Sequence, residues 1–191
     1  MKAMSTHYLD LTVRPSEDAP AHWLVSELYG KLHLALVRVR LDSVGVSFPG
    51  YCSKTPTLGK ILRLHGSLPA LTDLMADDWL KGLRSYVEQT PITAAPPAAL
   101  HRTVYRKQFK TNVERLRRRR MKRKNETSEE VANAIPAEAI RLSSLPYVCL
   151  TSRSTRQHFS LFIGLGPEQR TPSPGTYSSY GLSNETTIPW F

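Results

Sequence analysis

Across the N-terminal half of the chain the apolar positions change period several times, and each change marks an element. From His7 to Val13, Leu9, Leu11 and Val13 fall at period two, which predicts a strand that Pro15 ends. Between Ala21 and Val39 the residues Leu24, Leu28, Leu32, Ala35 and Leu36 recur at helical spacing, with Pro20 placed acceptably at the start. Residues 44–49 and 58–65 read as two short strands joined by a loop containing Gly, Ser and Pro. A second helix is expected over 69–80 and a further strand over 83–87. The order is then β-α-β-β-α-β, the ferredoxin-like split unit on which many RNA-binding modules are built.

Residues 91–99 are rich in Pro and Ala and carry no period, so the boundary between two domains is placed there. Beyond it, 100–109 reads as an extended segment, and 147–150 with 157–163 as a hairpin around the polar loop 152–156. The terminal Pro-Trp-Phe is apolar enough to dock against the body. The expected fold class is therefore α+β. A ferredoxin-like (RRM-like) domain over 1–95 precedes a C-terminal domain over 96–191 that carries an arginine-rich helix and a hairpin.

Charge changes this picture from a generic α+β protein to a binder of polyanions. The chain has 26 Lys+Arg against 16 Asp+Glu, a net charge of +10, which favours nucleic acid first and an anionic membrane second. Hydrophobic residues make up 40%, an ordinary fraction for a folded core, so the charge does not signal wholesale disorder. Cys52 and Cys149 form no metal-binding or disulfide pattern and are expected to be reduced and mostly buried. No signal-like or membrane-length apolar run is present, which suggests a soluble, cytoplasmic protein.

The basic run over 115–124 contains only two uncharged residues, Leu116 and Met121. Thr111-Asn-Val-Glu114 has the spacing of a capping box, so this run should be helical. At ~100° per residue, Val113, Leu116 and Met121 gather on one side. Arg115, Arg118, Arg119 and Lys122 project from the other, with Arg123 at the edge. Arginine's planar fork suits phosphate and guanine contacts. A second box, Thr127-Ser-Glu-Glu130, opens a short helix that Pro136 closes, which disfavours a long basic rod of the kind that reads DNA. Three apolar residues suffice to dock this helix to a core but not to a membrane surface.

Several strings carry a resemblance to a known family. They are His-Tyr-Leu-Asp at 7–10, Gly-Lys-Leu-His at 30–33, Gly-Val-Ser-Phe-Pro at 45–49 and Glu-Arg-Leu-Arg-Arg-Arg at 114–119. Further on come Ser152, Ser154-Thr155, Gln157-His-Phe159, Tyr180-Gly-Leu-Ser183 and the terminal Pro-Trp-Phe. In order and spacing these resemble the type I-F (Ypest subtype) member of the CRISPR-associated Cas-six repeat endoribonucleases. The resemblance implies metal-independent cleavage of precursor CRISPR RNA at the 3′ base of a repeat stem-loop, with the RNA's own 2′-hydroxyl as nucleophile and no cofactor. It implies a 2′,3′-cyclic phosphate product that stays bound in a type I-F Cascade complex with other subunits, and a monomer when free.

By the same resemblance His33 is the general base, a role imidazole suits because it changes protonation near neutral pH. Nine residues beyond Leu24, it points roughly opposite the apolar stripe, and Gly30 one turn earlier leaves room for a backbone to approach. Ser152 matches the serine that holds the attacking ribose, Ser154 and Thr155 lie in the same loop, and Tyr180 matches the tyrosine that orients the histidine. Arg106 and Gln108 match readers of base edges, and Phe159 matches a ring that stacks on the terminal base pair. Arg115, Arg119, Lys122 and Arg123 would meet phosphates or base edges. Lys122 stands where an arginine is expected, and keeps the charge without the planar fork.

The residues alone also allow a surface histidine, an ordinary hairpin loop and a packed tyrosine. Phe159 could be core, since it shares a strand face with Leu161 and Ile163. His65, His101 and His158 are taken as structural or peripheral. The competing functions are a non-catalytic RNA-hairpin-binding module of the same fold and a basic DNA-binding protein.

Overall fold

Alternation from His7 builds strand β1 (His7–Val13), whose Leu9, Leu11 and Val13 are buried while Tyr8, Asp10 and Thr12 are not. The computed structural model describes residues 5–108, 113–134, 145–152 and 155–191, with the backbone alone for 113–116. Helix α1 (Ala21–Val39) follows with the expected limits, Pro20 before its first turn and Arg40 closing it in the left-handed conformation. Strands β2 (Gly45–Ser47) and β3 (Ile61–Gly66) come next. Helix α2 (Leu68–Ala76) is capped by Ser67, whose hydroxyl accepts from the Ala70 amide at 3.3 Å.

Two expectations need correction here. Helix α2 ends at Ala76, because Asp77 is already extended, and the helix does not run to Leu80. Over 83–87 the chain makes a short 3-10 turn, Arg84–Tyr86, before strand β4 (Val87–Gln89). Trp79, Leu80 and Leu83 are buried, but from irregular backbone, and their burial imitates the spacing of a regular element. Strand β5 (Thr93–Ala94) falls inside the Pro/Ala stretch and pairs with the start of β1.

The first sheet is antiparallel throughout and ordered β2-β3-β1-β4, with β5 also on β1. Helices α1 and α2 both pack on β1 and β3, and the leucines of β1 meet Leu62 and Leu64 of β3 beneath them. On the opposite face Arg63 forms a two-pronged ion pair with Asp10, at 2.7 and 2.9 Å, between the rings of Tyr8 and Phe191.

Strand β6 (Leu100–Lys107) begins the second sheet. Helices α3 (Val113–Lys124) and α4 (Ser128–Ala134) intervene, and then β7 (Tyr147–Thr151), β8 (His158–Leu165) and β9 (Thr187–Trp190) complete it in the order β7-β8-β6-β9. β7 and β8 form the expected hairpin, and β9 docks the C-terminal Pro-Trp on β6. A continuous core joins the two sheets, in which Val104, Val148, Leu150, Leu161 and Ile163 belong to the same buried cluster as the leucines of α1. By contact, Met1–Lys107 with Leu145–Phe191 form one compact unit and Gln108–Ser144 a second.

Within the second unit α4 packs on α3, and Val131 is fully buried. The capping box at Thr127 is realised: the Thr127 amide donates to the Glu130 carboxylate at 2.8 Å, and the Glu130 amide to the Thr127 hydroxyl at 3.3 Å. The box at Thr111, and Pro136, lie outside the described residues. The cysteines are a further correction. Cys52, in the loop between β2 and β3, is partly exposed, and Cys149 is exposed because period two on β7 turns Val148 and Leu150 inward and Cys149 outward. Among the described residues no helix is long and apolar enough to cross a membrane.

Candidate active site

The leucine stripe of α1 faces the first sheet, and its opposite flank meets β7. Ser26, Gly30 and His33 lie at i, i+4 and i+7 on that flank. Ser26 is locked there, donating to the His22 carbonyl at 2.9 Å and accepting from the Cys149 amide at 3.1 Å. A Cβ at Gly30 would sit 3.6 Å from Leu150, so a side chain of β7, not a backbone, fills the approach expected at Gly30. At this junction a cleft of about 830 Å³ opens, lined among others by His33, Ser152, Phe159 and Tyr180.

His33 is half-buried, and its Nδ1 lies 2.8 Å from the carbonyl oxygen of Ser179. A carbonyl can only accept, so Nδ1 carries the proton and the neutral ring keeps its lone pair on Nε2. The ring also lies flat on that of Tyr180, with centroids 3.9 Å apart and planes 6° from parallel. One turn earlier on α1, the buried Tyr29 hydroxyl donates to the Tyr180 carbonyl at 2.7 Å. Burial first, and then the neighbouring Tyr180 phenol, push the Tyr29 phenol well above its ordinary range, which keeps it a donor. Two residues of one helix face thus grip two successive carbonyls of a distant turn.

That turn is built by Gly181. Its φ of +69° is left-handed, and a Cβ there would meet Val46 at 2.7 Å. The Gly181 amide donates to the Ser178 carbonyl at 2.8 Å, and its carbonyl accepts from the Val46 amide at 3.0 Å. The turn is therefore anchored to β2 as well as to α1.

Across the cleft, bonds centred on Ser152 close the β7–β8 loop, three of them between described residues. Its amide donates to the Gln157 carbonyl at 2.9 Å, its carbonyl accepts from the Arg156 amide at 2.8 Å, and its hydroxyl accepts from the Thr155 amide at 3.3 Å. Phe159 sits where the β8 face of Leu161 and Ile163 runs out, so its ring packs on the edge of the core and also lines the cleft. The Arg106 guanidinium lies over that ring, 5.8 Å from its centroid.

Of the residues singled out in the sequence, the structure brings His33, Ser152, Tyr180 and Phe159 together in the cleft, with Thr155 in its loop and Arg106 beside Phe159. Gln108 is exposed directly after β6. In the second unit Arg118, Arg119, Lys122 and Arg123 are exposed and have no carboxylate partner among the described residues, whereas Arg120 pairs with Glu126 at 2.6 Å. Ser154 and the Arg115 side chain lie outside the described residues. His65 is fully buried against Ser47, His101 is partly buried and His158 is exposed on β8. Sequence reasoning missed Tyr29, which reads as one more apolar position of the α1 stripe, and assigned no role to Arg156.

A family model described as CRISPR-associated protein (Cas_Csy4) matches residues 8–191. A protein of Pseudomonas aeruginosa (strain UCBPP-PA14) named CRISPR-associated endonuclease Cas6/Csy4 is 44% identical over 185 residues, covering 97% of this chain and 99% of its own. One of the same name from Escherichia coli (strain UTI89 / UPEC) is 40% identical over 185 residues with the same coverage. Matched nearly end to end by the family model and by both relatives, the chain belongs to the CRISPR-associated Cas_Csy4 family.

Proposed function

We propose that this protein is a type I-F CRISPR endoribonuclease that binds the repeat stem-loop of precursor CRISPR RNA and cuts it at the 3′ base of the stem without a metal ion. The observation that carries the reading is the His33 Nδ1 bond to the Ser179 carbonyl, because it leaves Nε2 as a base on a residue lining the cleft. Nε2 takes the proton of the 2′-hydroxyl, the O2′–P bond forms, the P–O5′ bond breaks, and O5′ leaves as it takes a proton from solvent water. The products are a 2′,3′-cyclic phosphate and a 5′-hydroxyl. Ser152 holds the attacking ribose, and Tyr180 fixes the plane of the imidazole by stacking.

Binding and cutting then have separate sources. Arg118, Arg119, Lys122 and Arg123 supply unpaired positive charge for the stem, Arg106 and Gln108 read base edges, and Phe159 stacks on the closing base pair. The order β2-β3-β1-β4 with two helices on one face supports a ferredoxin-like N-terminal domain over 1–95, followed by an RNA-binding domain over 96–191. The high positive charge favours retention of the product, which accords with a place in a Cascade-type complex.

The test is cleavage of a type I-F CRISPR repeat stem-loop in excess EDTA. Wild-type protein is expected to cut, and His33→Ala to bind without cutting. Intact RNA with the wild-type protein would leave a non-catalytic hairpin binder, and efficient displacement by duplex DNA would reduce α3 to a general polyanion site.

A further inference from the structure

Resting on the endoribonuclease reading above, we propose that Arg156 supplies the positive charge that meets the scissile phosphate. Attack by the 2′-hydroxyl makes a phosphorane whose non-bridging oxygens gain negative charge, and a donor already aimed at them stabilises the transition state more than the ground state. His33 and Ser152 are occupied with the proton and the ribose. Among the described residues the fixed cations lining the cleft are Lys31 and Arg156. The Lys31 ammonium donates to the Lys81 carbonyl at 2.8 Å, which ties it to backbone that does not line the cleft. Arg156 is exposed and has no carboxylate partner among the described residues.

Its backbone is fixed to the residue that would hold the ribose. The Arg156 amide donates to the Ser152 carbonyl at 2.8 Å, and the loop closes through the Ser152 amide on the Gln157 carbonyl at 2.9 Å. A nucleotide seated at Ser152 therefore has its 3′ phosphate close to a three-methylene arm that ends in a planar fork, the geometry that pairs with two phosphate oxygens at once.

The conformation of Arg156 is the second, independent observation. Its φ is +54°, left-handed, which glycine or asparagine adopts at least cost. The other described non-glycine residues with positive φ, Arg40 and Asn125, each close a helix, where this conformation is ordinary. Arg156 closes no helix. The hairpin loop asks for a residue in this conformation, and the chain places there a side chain that strains it while adding an arginine to the lining of the cleft. The guanidinium transfers no proton in this scheme; it donates hydrogen bonds to the non-bridging oxygens and offsets their charge.

Arg156→Gly removes the guanidinium and suits the backbone, so the loop is preserved. Arg156→Lys keeps the charge without the fork. Single-turnover cleavage of the same CRISPR repeat stem-loop is measured at saturating protein in EDTA, and affinity with that stem-loop carrying a 2′-deoxyribose at the cleavage site. Arg156→Gly is expected to cut roughly 100-fold more slowly, as when one preorganised donor is lost from an anion site, with affinity changed by less than about threefold. Arg156→Lys should fall between. Replacing a non-bridging oxygen of the scissile phosphate by sulfur, in one of its two configurations, should slow the wild type more than Arg156→Gly.

Wild-type cutting with an undiminished Arg156→Gly rate would overturn the assignment and leave the endoribonuclease reading intact. So would a variant that loses affinity but cuts normally at saturation. Intact RNA with the wild type would overturn both.

Discussion

Removing one oxygen atom at Tyr29 tests whether the turn around Tyr180 is what holds the base. In Tyr29→Phe the ring stays in a site that is 1% exposed, and the 2.7 Å bond to the Tyr180 carbonyl is lost. That carbonyl then has no phenol donor, a loss of about 1–2 kcal/mol for a buried neutral bond. The next carbonyl upstream, Ser179, is the one that fixes the His33 tautomer, and the ring of Tyr180 is the one His33 stacks on. If the whole loss falls on the arrangement that cuts, the population of that arrangement drops by a factor of roughly 5–30.

His33→Ala removes the base itself and should cost roughly 10²–10⁴. The assay is single-turnover cleavage of an end-labelled stem-loop at saturating protein, run beside thermal unfolding of the free protein. A Tyr29→Phe protein that cuts at the wild-type rate while melting at lower temperature would refute the link from turn to base. A loss as large as that of His33→Ala would show that Tyr29 does more than hold a carbonyl.

Three further outcomes follow from the same geometry. The Tyr180 hydroxyl has no hydrogen-bond partner among the described residues, so Tyr180→Phe should cut within about threefold of wild type and Tyr180→Ala roughly tenfold or more slowly; equal losses in single-turnover rate would show that the ring stack is not the active feature. Alanine at Arg118, Arg119, Lys122 and Arg123 should weaken stem-loop binding and flatten its salt dependence by about 0.7–0.9 in log–log slope for each phosphate left without its cation, and a slope that does not move in a titration would remove α3 from the interface. Burial, and then the Arg63 charge, lower the His65 pKa from 6.5 to about 3. The unfolded chain takes up a proton there below about pH 6.5 and the folded protein does not until about 3. Stability should therefore fall with pH through that window by about 1.4 kcal/mol per unit. His65→Gln should flatten this limb of a denaturant-midpoint profile against pH, and an unchanged limb would refute it.

How much of this was legible in the sequence follows the range of the forces involved. Strand β1 and helix α1 could be bounded to the residue, because one strong period runs without interruption from a clear start to a clear stop. The segment after α2 could not, since Trp79, Leu80 and Leu83 are buried by tertiary packing of turns, and local period carries no trace of that. The catalytic candidate was visible as a residue type, but its tautomer was not. It depends on a carbonyl 146 positions away, and Tyr29 reaches its own carbonyl across 151.

Charge shows the same division. A run of arginines fixes the sum of the positive charge, which is a property of composition, but not the part of it that a ligand can use. Arg120 is held by Glu126 at 2.6 Å in α3, while its neighbours Arg118 and Arg119 remain exposed. In the β7–β8 loop Arg156, in a left-handed conformation, lines the cleft together with Ser152. Counting would rank the long run far above this loop residue. Position reverses that order for the proposed contact with the scissile phosphate: a cation acts on a developing charge through its distance from it, and the loop bonds at Ser152 hold the Arg156 backbone beside the residue proposed to seat the ribose.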